Sequence, residues 1–565
     1  MSIRSKILFV AAYVLHVAWV IVLASVPPVS RDALTHHLAV PKLWVEQGGL
    51  HEIPEIAFSY YPQLIDLLYT VPIIFGHDIA AKYIHFVFAL LTALIIFLFV
   101  RRRIGPSWGA LSGLLFLTIP LIMKLSVTVY VDLGLIFFTA GALFASVIWL
   151  ENPAKTKWLV LAALCSGLAL STKYNAIVSF LVLSLLVPFF FLNGSENKDK
   201  EQLNAVKFGV LFVSISMLVF SPWLIRNYSL TGNPIYPLKQ NLFAADEQAA
   251  AQEPQSAEEH ARLAIEEVAH NQPKPLGPLL TRKLVYEESL GYTMLIPLRI
   301  FYEGKDDNPK YFDGRLNPML LVLPLALLLM ARREGFHRRE TAFFAGFAGL
   351  VILLTFMITD MRVRWIATII PPLVVLATYG LYLINGWLLK NSRSQAMANA
   401  VTGLLVALYL LPNLSYAHNL YQKIDPMPYV AGKQSYQDYV QTYRPEFAAI
   451  DRANRVVPAG SKVLGLYMGN RRYYFSVDVI LVNAVFTSIA ANSGSGQGIA
   501  DQLTNLGYSH LVVHNDLLQQ WLETADAATQ ARVSNFARYR LRQLVLEKGY
   551  GLYEIVAPET TGPAD

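Results

Sequence analysis

Charge is scarce in this chain: 15% of its 565 residues are Asp, Glu, Lys or Arg, against 54% hydrophobic. With a mean hydropathy of +0.41, that balance excludes an ordinary soluble globule and points to a polytopic membrane protein. Cysteine is nearly absent. The single Cys165 lies within an apolar run, so an intrachain disulfide is impossible. A phosphate-binding loop is missing as well, because Gly465, Gly469 and Gly494 lack the spacing of a nucleotide cradle. There is no repeat of solenoid period. The N-terminus carries no convincing small-residue cleavage pattern. Its apolar run to about Val26 approaches a full span of roughly 20 residues, so it reads as a retained first helix. The formal charge of +6 implies no nucleic-acid partner, since much of the Lys and Arg lies in short loops between apolar segments.

What is present is a series of apolar runs, at about 7–26, 79–100, 107–123, 132–150, 157–172, 176–192, 205–222, 316–331, 341–358, 366–385 and 396–412. They predict about eleven transmembrane helices, several near the short limit of roughly 17 residues. Basic clusters alternate with them: Arg4 and Lys6; Arg101, Arg102 and Arg103; Lys155 and Lys157; Lys198, Lys200 and Lys207; Arg332, Arg333, Arg338 and Arg339; Lys390 and Arg393. All fall on one side of the membrane under this count. The N-terminus is therefore expected in the cytoplasm and the C-terminus outside. The long loops, 27–78 and 223–315, then lie outside. Within the first, Tyr61 to Tyr69 is apolar but too short to span, and is expected to lie along the interface. Segment 245–271, rich in Ala, Glu and Gln, reads as a solvated surface helix.

The transmembrane domain is expected over 1–412 and an extracytoplasmic α/β domain over 413–565. In the latter, Lys462–Tyr467, Val479–Val482, His510–Val513 and Gly551–Val556 read as strands. Helices fit about 443–455, 498–506 and 515–540.

Polar clusters recur on the expected outer side. Asp32 stands in the first outer loop with His36 and His37. Asp132 follows Tyr130 between two spans, and Lys173 and Tyr174 break two others. Arg226 and Asn227 close the seventh span, and Arg362 and Arg364 precede the tenth. Polar helix ends with snorkelling cations are the bland explanation. Yet the inner ends carry mostly simple Lys and Arg runs, whereas the outer ends mix carboxylates, cations and aromatics. Outer cations run against the topological bias, and ionisable groups close to a bilayer commonly mark a reaction or transport site. Such a set suits transfer of a group from a lipid-linked phosphate. Asp32 would accept a proton from an acceptor hydroxyl, and Lys173, Arg226, Arg362 and Arg364 would hold phosphate. Trp44 and Tyr61 would pack on a sugar ring, although belt and core packing explains most aromatics. His36 and His37 with Asp32 offer a weaker alternative, a divalent metal site, because adjacent residues on a helix point about 100° apart. No metal or other cofactor is favoured. Transport or flipping of a lipid-linked or small polar substrate is the alternative function, but inverted repeats and charges at mid-depth are not evident.

These features carry a family resemblance. Asp32 in the first loop, a Tyr-Pro-containing helix ahead of the second span, Asp132, and the turn Gly167 to Tyr174 come in order. Pro222-Trp223 to Arg226-Asn227, Thr231 to Pro237, and Arg364 before Pro371-Pro372 follow. In this the chain resembles the GT-C membrane glycosyltransferases, in the branch of the protein O-mannosyltransferases and lipid A aminoarabinose transferases. The resemblance covers about residues 5–412 and, more loosely, the C-terminal domain. It implies an inverting cell-envelope glycosyltransferase with a polyprenyl-phosphate sugar donor, a protein, lipid or glycan acceptor, and Asp32 as catalytic base. Asp132 is the second acid expected to take part in catalysis. The chain departs from the family twice: Asp32-Ala33 lacks the second acid of an acidic pair, and His36 stands where a Tyr is common.

Overall fold

The computed structural model describes residues 3–239, 243, 277–334, 336–391 and 394–557. The expected surface helix at 245–271 lies outside them. The chain forms two compact units. One comprises the described residues up to Ser25, Tyr60–Leu238, and those between 277 and Val430; the other joins Val26–Ser59 to Lys239, Phe243 and the described residues from Ala431 on.

The first unit is helical and multi-pass. Eight of its helices are long and apolar enough to cross a membrane: Ile3–Ala24, Ala80–Ile104, Asp132–Glu151, Ala176–Asn193, Lys198–Thr231, Arg338–Ile358, Val363–Asn391 and Gln395–Ile424. The apolar pair Pro106–Leu117 and Pro120–Ser126 stands at a further expected span and bends by 68° between its two helices. Pro120 lacks a backbone donor, and Ile119 before it is extended, at φ −62 and ψ 133, as a residue preceding proline prefers. Two shorter apolar helices, Lys157–Thr172 and Met319–Met330, stand at the remaining expected spans. Val363–Asn391 is buried through its apolar stretch as far as Leu383 and emerges beyond it, whereas few residues of Ile3–Ala24, Lys198–Thr231 and Gln395–Ile424 are buried. Those exposed apolar faces are what a lipid-facing helix presents. Helix Leu64–Ile74 buries Ile65, Asp66, Tyr69 and Pro72 on one face and exposes Leu68, Val71 and Ile74 on the other, in keeping with the interfacial helix expected here.

Small residues set the closest packing. A Cβ at Gly167 would meet the Ser216 carbonyl oxygen and Val219 Cβ at 2.6 Å, so helix Lys157–Thr172 approaches helix Lys198–Thr231 only because Gly167 has no side chain. Ser216 Oγ donates to the Ala163 carbonyl across the same contact at 3.0 Å. One end of this helical unit is basic. Arg103 pairs with Glu340 at 2.8 Å and with Glu151, and Arg339 donates to the Leu150 carbonyl at 3.1 Å. These bonds draw together the ends of Ala80–Ile104 and Asp132–Glu151 and the start of Arg338–Ile358. The mixed clusters of Asp132, Lys173 and Arg364 sit at the opposite ends of their helices.

The second unit is an α/β domain on a five-stranded sheet of β1 (Lys462–Leu466), β2 (Asp478–Ile480), β3 (Tyr508–His514), β4 (Leu541–Glu547) and β5 (Tyr550–Ile555), in the order β2-β1-β3-β5-β4. β1 runs parallel to β2 and β3, and β5 antiparallel to β3 and β4. The β4–β5 hairpin turns through two left-handed residues, Lys548 (φ 48) and Gly549 (φ 82), the backbone that a tight right-twisted hairpin requires. β4 is an addition to the expected strands. Its residues are mostly half-buried to exposed, so it lacks the apolar run that announces the others. The expected helix over 515–540 is two, Asn515–Thr524 and Ala527–Arg540, because Asp526 starts a new helix by accepting the Thr529 N–H at 2.9 Å. Helix Asn483–Asn492 is a further addition to the expected set.

Candidate active site

In the helical unit, three of the anticipated residues meet. Asp132 opens its helix fully buried. Lys173 Nζ donates to its Oδ1 at 2.9 Å and Arg364 Nη2 to its Oδ2 at 3.0 Å. Both carboxylate oxygens are thus engaged by cations whose side chains are 18% and 16% exposed. One negative charge between two positive ones leaves the cluster cationic and partly open to an approaching anion. The chain delivers these groups at helix ends: Lys173 ends Lys157–Thr172, and Arg364 lies on the 3-10 helix Val363–Ile369. Arg364 also lies over the Tyr130 ring, 4.2 Å from its centroid, a contact that fixes the guanidinium plane.

Tyr174 continues the site on the other side of Lys173. Its hydroxyl accepts from Asn227 Nδ2 at 3.1 Å and donates to the Tyr236 carbonyl at 3.3 Å. Burial pushes this phenol up to about 12 against the milder pull of Asn227, so it stays protonated. Asn227 is fully buried, and its amide also reaches the Tyr60 carbonyl at 2.8 Å. It acts as a knot among three loop segments. Arg226 lies 6.0 Å from the Tyr60 ring centroid, and Tyr61 packs edge-on against Tyr174 at 5.0 Å. Arg362 takes another direction: it pairs with Asp313 at 3.5 Å and covers Trp365 at 5.1 Å.

Sequence reasoning gave no site role to a set of buried polar groups on helices Leu64–Ile74 and Ala80–Ile104. Asp66, Tyr69, Lys82 and His85 are all at most 3% exposed. Tyr69 donates to the Tyr130 carbonyl. His85 Nε2 accepts the Leu133 N–H at 3.0 Å while Nδ1 lies 2.9 Å from the Leu125 carbonyl, so the imidazole ties Ala80–Ile104 to the first turn of the Asp132 helix. Lys82 is a turn away on the same helix. The available signal was Asp78, just ahead of the second apolar run, four residues before Lys82 within it, an ion-pair spacing at a membrane boundary.

The second unit holds Asp32, His36, His37 and Trp44. Asp32 precedes a π-type turn, Ala33–His37, a wide-turn geometry frequent at functional sites. His36 stacks on Phe58 at 4.5 Å, His37 is buried, and the two imidazoles are 4.0 Å apart. His36 Nδ1 bonds Thr35 Oγ1 at 2.8 Å. Trp44 is buried and donates to the His51 carbonyl at 3.2 Å. Among the described residues, no group of three or more His, Cys, Asp or Glu side chains is placed to hold one metal ion.

The helical bundle with its cationic cluster, and the α/β unit after it, define a class: the chain has the fold of the GT-C membrane glycosyltransferases. Residues 67–225 match the family of dolichyl-phosphate-mannose-protein mannosyltransferases. Among solved structures the chain is similar to ArnT from Cupriavidus metallidurans bound to undecaprenyl phosphate, with a TM-score of 0.58, 14% identity and 100% of each chain covered. It is similar to the apo state of ArnT from the same organism, with a TM-score of 0.58, 15% identity and 97% of each chain covered. It is also similar to the archaeal oligosaccharyltransferase AglB from Archaeoglobus fulgidus in complex with an inhibitory peptide and a dolichol-phosphate. There the TM-score is 0.53 and the identity 12%, over 100% of this chain and 75% of that one. No curated protein matches the chain in sequence.

Proposed function

We propose that the protein transfers a sugar from a polyprenyl-phosphate carrier to an acceptor hydroxyl at the outer face of the cytoplasmic membrane, inverting the anomeric carbon. The observation that carries this reading is the buried Asp132 carboxylate between Lys173 and Arg364. The carboxylate holds two cations at fixed positions and leaves positive charge for a lipid phosphate. Polyprenyl-phosphate binding by ArnT and dolichol-phosphate binding by AglB support the same ligand chemistry here.

In the proposed reaction, the acceptor oxygen attacks the anomeric carbon as the bond from that carbon to the phosphate oxygen breaks. Asp32 takes the acceptor proton. The polyprenyl phosphate leaves with the electron pair of the broken bond, and Lys173 and Arg364, with Arg226, Arg362 and the buried Lys82 as further candidates, take up the charge that develops on it. Asp132, with both oxygens engaged, orders those cations. Tyr61 is the aromatic candidate for sugar packing, whereas Trp44, expected in that role, is buried with its indole N–H on the His51 carbonyl; His36 and His37 follow the base in its turn. The cations supply the charge stabilisation, so no metal is assigned, and chelation by EDTA is expected to leave turnover unchanged. The basic helix ends face the cytoplasm and the C-terminal unit lies outside, by the positive-inside bias. No observation favours transport.

Incubating the purified protein with radiolabelled undecaprenyl-phosphate hexoses and pentoses, and with protein, lipid and glycan acceptors, identifies donor and acceptor together. Asp32→Asn is expected to bind undecaprenyl phosphate and lose transfer. Normal transfer by the folded variant would remove Asp32 from the base role. Liposome transport without transfer from any donor would replace the enzyme reading altogether.

A further inference from the structure

Asp32 stands before a single π-type turn, Ala33–His37, closed by the Leu38 N–H to the Ala33 carbonyl at 2.9 Å. So short a turn has little stability of its own. Residues far along the chain hold it. Before Asp32, the Tyr474 hydroxyl donates to the Pro28 carbonyl at 2.7 Å, and Arg444 Nε to the Val29 carbonyl at 2.5 Å. Within the turn, the Tyr473 N–H donates to the Leu34 carbonyl at 3.1 Å. After it, Lys42 Nζ donates to the carbonyls of Tyr473 at 2.9 Å and Phe475 at 2.7 Å.

The strap carrying Tyr473, Tyr474 and Phe475, between β1 and β2, is itself pinned. Asn454 Nδ2 donates to the Tyr474 carbonyl at 2.9 Å and its Oδ1 accepts the Ser476 N–H at 2.8 Å. The Tyr474 ring packs edge-on against Phe447 at 5.2 Å. Asn454 and Phe447 share helix Phe447–Val456, so the ties to the Asp32 turn run back to a folded layer of the α/β unit. All these contacts lie within one compact unit.

We infer that Tyr473, Tyr474, Arg444 and Lys42 are positioning residues for Asp32, and that the C-terminal α/β unit acts in catalysis by holding the base-bearing turn in one conformation. The inference rests on the reading of Asp32 as the base. Its physical content is preorganisation: a base displaced by about 1 Å can cost on the order of 100-fold in rate. Bonds on both sides of Asp32 and inside its turn remove that freedom.

The test uses the full chain and the undecaprenyl-phosphate sugar that the wild type turns over. Tyr474→Phe removes one oxygen and keeps the ring against Phe447. Lys42→Met removes two bonds and keeps the stem, whereas Lys42→Arg retains donors. Tyr474→Phe and Lys42→Met are expected to lower kcat roughly 10- to 100-fold with donor KM and undecaprenyl phosphate affinity unchanged. Lys42→Arg is expected to recover most of the loss. Amide hydrogen exchange at 33–38 is expected to rise in the two deleted variants and in neither Lys42→Arg nor wild type. Wild-type kcat and exchange in folded Tyr474→Phe and Lys42→Met would overturn the inference, as would a change confined to KM. If Asp32→Asn is inactive while those variants are fully active, the positioning role fails alone. If Asp32→Asn is active, the base assignment fails first.

Discussion

Two cations reach Asp132 from residues 41 and 232 positions away in sequence, and each makes the carboxylate's burial tolerable. Removing either leaves a buried charge half-compensated. Lys173→Met is therefore expected to destabilise the protein by about 3 kcal/mol and to weaken undecaprenyl phosphate binding, while Lys173→Arg retains both. Thermal unfolding in detergent with a lipid-phosphate binding titration checks this; unchanged affinity in Lys173→Met would take Lys173 out of the phosphate site. The same scale shows what sequence could and could not say. Arg362 and Arg364 look equivalent two positions apart. Arg362 is extended backbone just ahead of the 3-10 helix that carries Arg364, so the two side chains leave in different directions, and of the pair Arg364 reaches Asp132. Asn227 looks like a substrate contact because it follows Arg226; in the fold its amide reaches the Tyr60 carbonyl and Tyr174. Lys82 and His85 are hidden inside an apolar run, where hydropathy averages over single polar residues.

At the level of elements, helix packing transmits geometry to the site. Gly167 lies on the helix that Lys173 terminates, hard against Ser216 and Val219. Gly167→Val forces those helices apart, with an expected loss of about 1–3 kcal/mol and reduced transfer through displaced Lys173. A fluorescence melt and a donor turnover assay test both arms, and a variant with wild-type stability and rate would show that the contact yields freely. In the sheet, buried His510 on β3 is the pH-sensitive element. Burial lowers its pKa, with Arg542 acting in the same sense and Glu554 against. The unfolded chain then binds a proton more readily than the folded one, so this stabilisation is present above the unfolded value near 6.5 and fades as pH falls below it toward the folded value. Thermal unfolding between pH 7.5 and about 5 is expected to show a decline that His510→Asn flattens; an equal decline in the variant would assign it to other groups. The strands with apolar runs are legible because their pattern is local. β4 is not, since its burial depends on pairing with β5.

For the whole molecule, the separation of a basic end from a mixed polar end predicts sidedness. In a Cys165→Ala background, Ser476→Cys is expected to react with a membrane-impermeant maleimide from outside intact cells, and Lys155→Cys only after permeabilisation. The reverse pattern would invert the topology and place Asp32 on the cytoplasmic side. The division into units also differs from the sequence expectation of a boundary at 413. The last long helix continues to Ile424, and Val26–Ser59, with Asp32, groups with the residues after Ala431. Loop 27–78 looks like one outer segment of a membrane domain because hydropathy records only its distance from the spans.

The spans, the alternation of basic loops and the α/β character of the C-terminal region were determined by the sequence itself, since each rests on the hydrophobicity, charge and periodicity of neighbouring residues. Tertiary structure alone decided which cations meet Asp132 and which carbonyls near Asp32 receive the strap. Those bonds join residues as much as 446 positions apart, and their existence depends on packing that closes such long loops, a quantity no local pattern encodes.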